Sequence, residues 1–219
     1  MTSRQLMKLR KRPTHFLSIP LTKTLDIEPC LLATQSKLIK ANIDGILEKD
    51  FIKSTKLHFT IGVMSLDGDS LPNARSALES IRPDIVEILS RQPHIYLNEF
   101  GCFPNSDQAQ VLFCKPVDTT PLDEISQVLS YQLAIDVIRQ QFINERLLTD
   151  TGPLTLHCTI LKTSGTKSSK RPNFSFKSVQ ESLKNCDLGG PYPLERVEIC
   201  EIGSTTPDGF YSSEGTISL

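Results

Sequence analysis

Leu57-His58-Phe59-Thr60-Ile61 recurs far along the chain as Leu156-His157-Cys158-Thr159-Ile160, so one H-x-T pattern appears twice between apolar neighbours. In an extended segment side chains alternate, and His58 and Thr60 share one face about 7 Å apart along the chain. Leu57, Phe59 and Ile61 point the other way, and the second copy repeats the arrangement with Cys158 on the apolar side. Each segment therefore presents a His/Thr pair on one face and an apolar triplet to a core.

Two imidazoles suit phosphodiester chemistry through a ribose hydroxyl. One takes the proton of the attacking hydroxyl and the other gives one to the departing oxygen. An unperturbed pKa near 6.5 lets one histidine be neutral and the other protonated at about pH 7. A threonine two residues on can donate a hydrogen bond to a non-bridging phosphate oxygen. His58 and His157 are thus the candidate catalytic pair, with Thr60 and Thr159 as phosphate ligands. Which histidine is the base stays open in so symmetric a pattern. The competing readings are a structural pair and a metal site. Matched apolar flanks favour a shared site, and threonine is a poor metal ligand with no third histidine or carboxylate beside it. No metal and no cofactor is expected. His15 and His94 lack a threonine two residues on and read as structural.

The elements that must carry these residues follow from periodicity. Thr14 to Pro20 reads as a strand, Ile27 to Lys49 as a helix with Gly45 a weak point, and Lys56 to Met64 as a strand. A helix from Pro72 to Ser90 is open to kinking or splitting at Pro83. His94 to Phe100 and Gln110 to Lys115 read as a hairpin, and Pro121 to Leu148 as the longest helix. Leu154 to Lys162 is a strand, Val179 to Lys184 a short helix, and Glu195 to Ile202 and Phe210 to Ile217 close the chain as strands. The order is α+β with no sharp linker.

Net charge is -1, which offers no broad cationic surface for non-specific nucleic-acid binding, so any anion site must be local. No run approaches the roughly 20 apolar residues of a membrane span. The six cysteines form no C-x-x-C pair and read chiefly as buried reduced thiols. Before Asp26 there is no acidic residue, and Lys8-Leu9-Arg10-Lys11-Arg12 makes residues 1–12 a basic tail ahead of one domain from 13 to 219. Such a run serves as a nuclear address, an RNA-touching arm, a transit peptide or a plain solvated tail. The expected compartment is nucleus, cytoplasm or both.

With the two H-x-T strands, Pro13-Thr14-His15-Phe16-Leu17, Thr163 and the closing Asp208-Gly209-Phe210-Tyr211, the chain resembles the 2H phosphoesterase superfamily. Its likeness is to the branch of the cointegrator-complex phosphoesterase domains and the 2',5' RNA ligase-like domain of A-kinase anchoring proteins, over residues 13–219. That resemblance implies a bilobal fold of two pseudo-symmetric lobes, each an antiparallel sheet flanked by helices, with a cleft between them. It implies an RNA or nucleotide phosphodiester ligand and His58, Thr60, His157 and Thr159 as the matched positions. It also implies either a phosphodiesterase acting on RNA ends, 2',3'-cyclic phosphates or 2',5' linkages, or a weakly active RNA-binding subunit of a nuclear transcription or alkylation-repair complex. Only a dozen residues precede Pro13, so RNA affinity is expected without an added KH domain, and kinase anchoring is not carried over. A monomeric domain is expected.

Between Asp150 and Glu181 there is no acidic residue, while Lys162, Lys167, Lys170, Arg171 and Lys177 supply positive charge after the second H-x-T segment. Lys170 and Arg171 are candidate nucleic-acid contacts. Lys162 has the opposite parity from His157 and Thr159 and is expected to leave the active face unless a bulge intervenes. Tyr192, Phe210 and Tyr211 are the candidates for base stacking, with Tyr211 the one carried forward.

Overall fold

The computed structural model describes residues 12–21, 27–90, 94–116, 125–163 and 172–219. The basic run Lys8 to Lys11 and the candidates Lys170 and Arg171 lie outside them. The elements are β1 (His15–Pro20), α1 (Ile27–Lys40), β2 (His58–Met64), α2 (Ser70–Ser80), α3 (Arg82–Leu89), β3 (His94–Leu97) and β4 (Glu99–Phe103). They continue as β5 (Val111–Lys115), α4 (Ile125–Asn144), β6 (Cys158–Lys162), α5 (Phe176–Ser182), β7 (Gly189–Pro193), β8 (Arg196–Thr205) and β9 (Tyr211–Ser218). No helix among the described residues is long and apolar enough to cross a membrane.

The main sheet is antiparallel with order β4-β5-β6-β2-β1-β8-β9, and β3 pairs with β7 in a second, two-stranded sheet. Its two halves, β4-β5-β6 and β2-β1-β8-β9, meet where β2 and β6 pair through Phe59 and Cys158. The H-x-T strands therefore lie side by side at the seam. Phe59, Ile61, Cys158 and Ile160 are fully buried, as period-two alternation requires. Behind them α4 packs Tyr131 edge-on to Phe59, with ring centroids 6.5 Å apart.

Both seam strands bulge at the same step of the repeat. Ser18 faces Thr60 but Leu17 faces Gly62, so Ile61 is the extra residue in β2. Phe113 faces Thr159 but Leu112 faces Leu161, so Ile160 is the extra residue in β6. An extra residue reverses the parity of everything after it. Ile61 and Gly62 are both buried, as are Ile160 and Leu161, after which Val63 and Lys162 emerge on the His/Thr face. Gly62 permits this on its side, because a Cβ there would come within 2.7 Å of Leu148 Cδ2.

Several boundaries differ from the periodicity reading. The first helix ends at Lys40, because Asn42 adopts φ 47° and Gly45 φ 86°; a Cβ on Gly45 would stand 2.1 Å from the Asn173 carbonyl oxygen. The helix expected over 72–90 divides at Ile81, just ahead of Pro83 near the start of α3. The hairpin is β4–β5, with Phe103 opposite Val111, while His94 to Leu97 leaves for the small sheet with β7, a strand that Gly189, Gly190 and its prolines hid.

Candidate functional site

Each histidine is aimed by the backbone just ahead of it. Nδ1–H of His58 donates to the Lys56 carbonyl at 2.7 Å, and Nδ1–H of His157 donates to the Thr155 carbonyl at 2.7 Å. A carbonyl only accepts, so both rings carry hydrogen on Nδ1 and leave Nε2 bare when neutral. At His58 that nitrogen lies 3.1 Å from Thr60 Oγ1, whose hydroxyl donates to the neutral ring.

Antiparallel pairing through Phe59 and Cys158 sets His58 across from Thr159 and Thr60 across from His157, with the imidazoles on the diagonal. His58, Thr60 and Thr159 line one cavity of about 300 Å³ with Val63, Lys162 and Tyr211. Among the described residues no carboxylate lines it, and Lys162 supplies its positive charge. His157 stands beside this cavity with its ring packed against both Phe103, at 5.1 Å, and Phe113, at 5.0 Å.

For Lys162 the exception stated with the expectation applies. The bulge at Ile160 turns this side chain onto the face of Thr159, where it lines the cavity. Val63 holds the matching place on β2, so of these two equivalent positions only the one on β6 carries an ammonium.

Around His58 the walls are aromatic. Phe16 lies 5.2 Å away, Tyr211 stands edge-on at 5.4 Å, and Lys56 Nζ sits 5.1 Å from the centre of the Tyr211 ring. Burial strips water from the imidazolium and pushes the His58 pKa below 6.5; the Lys56 carbonyl opposes this, and the charge of His157 adds to the lowering. The two histidines are therefore close enough to feel each other's charge.

Of the proposed stacking residues, Tyr211 alone lines this cavity. Phe210 is buried against Phe16 and Cys200, and Tyr192 is buried in β7 with its hydroxyl donating to the Leu188 carbonyl. His15 bonds the Thr14 hydroxyl through Nδ1 at 2.8 Å, and His94 packs edge-on to Tyr96. Neither lines the cavity.

Two groups escaped the sequence reading. Arg139 on α4 is buried and donates to the carbonyl of Ile61, the bulge residue of β2, and to that of Gly152 at 2.8 Å, in the loop leading to β6. It ties the bulge of one H-x-T strand to the approach of the other. Phe103 and Phe113 were absent from the aromatic candidates although both pack against His157. An arginine in an otherwise apolar helix face was the available signal for the first; no local signal marked the second.

Among the described residues no three His, Cys, Asp or Glu side chains converge as a metal donor set. All six cysteines are free, and Cys102, Cys114, Cys158 and Cys200 are buried. Burial pushes the Cys158 thiol up to about 12, which keeps it protonated beneath the site.

Known proteins share this architecture. The fold is similar to that of LigT from E. coli in complex with 3'-AMP, with TM-score 0.53, 12% identity, and coverage of 94% of this chain and 98% of LigT. It is similar to TT0787 of Thermus thermophilus, with TM-score 0.52, 16% identity, and coverage of 94% and 97%. In sequence the chain is 23% identical over 215 residues to non-structural protein 2a of murine coronavirus strain JHM, covering 96% of this chain and 69% of that protein. The structure of the MHV ns2 PDE domain matches with TM-score 0.52 and 15% identity over 88% of this chain and all of that domain. The model of the AKAP7 2'5' RNA ligase-like domain matches residues 13–219, and with paired H-x-T strands at the seam of a two-halved sheet the chain belongs to that family, within the 2H phosphoesterases.

Proposed function

We propose that residues 13–219 act as a metal-independent phosphodiesterase on RNA ends, 2',3'-cyclic phosphates or 2',5'-linked nucleotides. The observation that carries this reading is the matched orientation of two imidazoles by carbonyls two residues upstream, at the edge of one cavity that holds both threonines. For a 2',5' linkage, His58 takes the proton of the free 3'-hydroxyl as that oxygen attacks phosphorus. His157 gives a proton to the departing 5'-oxygen, and the products are a 2',3'-cyclic phosphate and a 5'-hydroxyl. The assignment of base to His58 is supported by its lowered pKa, which leaves it neutral at pH 7. With substrate bound, Thr60 turns its one hydroxyl hydrogen from His58 Nε2 to a non-bridging oxygen, which frees that nitrogen for the 3'-hydroxyl proton; Thr159 donates to the other oxygen, and Lys162 balances their charge.

Support from relatives is of the same kind: the similar fold of LigT was crystallised with 3'-AMP and with phosphate, and the MHV ns2 domain is named as a PDE. The test is incubation in EDTA with short oligoribonucleotides ending in 2',3'-cyclic phosphate, in 3'-hydroxyl, or joined by a 2',5' bond. Wild type is expected to turn over at least one of them, and His58→Ala or His157→Ala to lower the rate about 10² to 10⁴-fold. A protein that binds these oligonucleotides and leaves them intact serves instead as an RNA-binding subunit, the second role read from the sequence. Rates unaffected by both substitutions remove the histidines from the chemistry.

A further inference from the structure

The cavity explains where a phosphate and one neighbouring base sit, and leaves unexplained the aromatic shelf on the other side of His157. In β4, Phe103 keeps 38% of its surface exposed, against 5% for Phe113 beneath it. The two rings are tilted by 35° with centroids 4.5 Å apart, and both contact His157. The shelf depends on Gly101, which faces Phe113 across β4–β5. A Cβ on Gly101 would meet the Phe113 ring at 2.4 Å, so the missing side chain is what lets that ring lean over β4. Phe113 in turn faces Thr159 across β5–β6. Thr159, Phe113 and Gly101 thus form one row across three strands, ending beside Phe103.

From Gly101, Phe113 and Phe103 in contact with His157, we infer that Phe103 is a second nucleobase platform, holding the base of the nucleoside that leaves from the His157 side. This rests on the proposed phosphodiesterase reading and narrows its substrate to an internucleotide linkage with a base on each side. Tyr211 walls the cavity beside His58, where the attacking nucleotide lies; Phe103 stands beside His157, which protonates the leaving oxygen. An exposed ring held from below by another ring loses little freedom when a base stacks on it. A nucleoside cyclic phosphate whose leaving group is a ribose oxygen has no second base and leaves the shelf empty.

The experiment uses a 2',5'-linked diadenylate lacking its 3'-hydroxyl, which cannot undergo the attack, and the same compound with hydrogen in place of the second adenine. Affinities are measured by calorimetry for wild type, Phe103→Ala and Phe103→Trp. Wild type is expected to prefer the complete dinucleotide by about five- to hundredfold, the range that stacking on an aromatic ring contributes. Phe103→Ala is expected to lose this preference and Phe103→Trp to keep it, with the abasic compound bound alike by all three. Equal affinity of wild type for both compounds, or a preference that survives Phe103→Ala, overturns the platform. If the preference depends on Phe103 but the 3'-hydroxyl dinucleotide is never cleaved, the platform stands and the catalytic reading falls. Cleavage without any preference for the second base has the reverse meaning, and no binding of either compound rejects both.

Discussion

Phe59 and Cys158 face each other where the two halves of the main sheet join, and the residues on either side of each are the histidine and threonine of one H-x-T copy. The buried pair thus sets the offset between the two imidazoles, because a shift of one residue would turn either His/Thr pair into the core. Phe59 is fully buried and edge-on to Tyr131. Phe59→Ala is expected to destabilise the fold by about 3–5 kcal/mol, the range for losing a large buried ring. Phe59→Leu should cost less and still lower turnover; denaturant unfolding and rates on the same preparations separate the two effects.

Acid should weaken both stability and activity through His58. Its folded pKa lies below 6.5, so between 6.5 and that lower value the unfolded chain binds a proton that the folded chain refuses. Stability therefore rises with pH through this window and falls as pH drops through it, with a slope of at most about 1.4 kcal/mol per pH unit for one proton. His58→Gln is expected to flatten that part of the stability curve. The acidic limb of the rate profile should likewise fall below pH 6.5, where neutral His58 is lost.

Lys162 is the cation that separates two otherwise similar half-sites. Lys162→Ala is expected to weaken phosphodiester binding about tenfold, raising KM more than it lowers kcat, and Lys162→Arg to restore most of it. The plot of log affinity against log salt for an oligoribonucleotide should lose a slope of about 0.7, one single-strand phosphate contact. An unchanged slope would place the side chain outside the phosphate path.

Arg139 holds the carbonyls of Ile61 and Gly152 from α4. Removing it leaves the buried Ile61 carbonyl without this donor, and Arg139→Ala is expected to cost about 1–3 kcal/mol in thermal or denaturant unfolding. Arg139→Lys reaches one carbonyl at a time and should recover only part. Because the Ile61 bulge turns Val63 outward and steadies β2, turnover should fall even at temperatures where the variant is fully folded.

Gly101→Ala tests the geometry beside His157 without touching a ring. The added methyl meets Phe113 and must displace it from its lean over β4. A change in the His157 ring resonances by NMR is expected, while those of His58, walled by Phe16 and Tyr211, stay in place.

The sequence alone determined what alternation and composition encode locally. Two H-x-T segments with apolar flanks could only be strands with a polar and a buried face, and Cys158 fell on the buried face for the same reason. Tyr211 was legible as an aromatic at a strand start, though nothing local separated it from Tyr192, which tertiary packing buried in the second sheet. The bulges were half legible: Ile61-Gly62 and Ile160-Leu161 are consecutive small or apolar positions within alternating strands. Their consequence, Lys162 in the cavity, required the partner strands, because the residue skipped is fixed by the hydrogen-bond register of β1 and β5. Arg139 and Phe103 lie outside the repeat on the chain and reach it only when α4 packs on the seam and β4 pairs with β5. Periodicity reports the face a residue takes within its own element; which elements then share that face is decided by packing between distant parts of the chain.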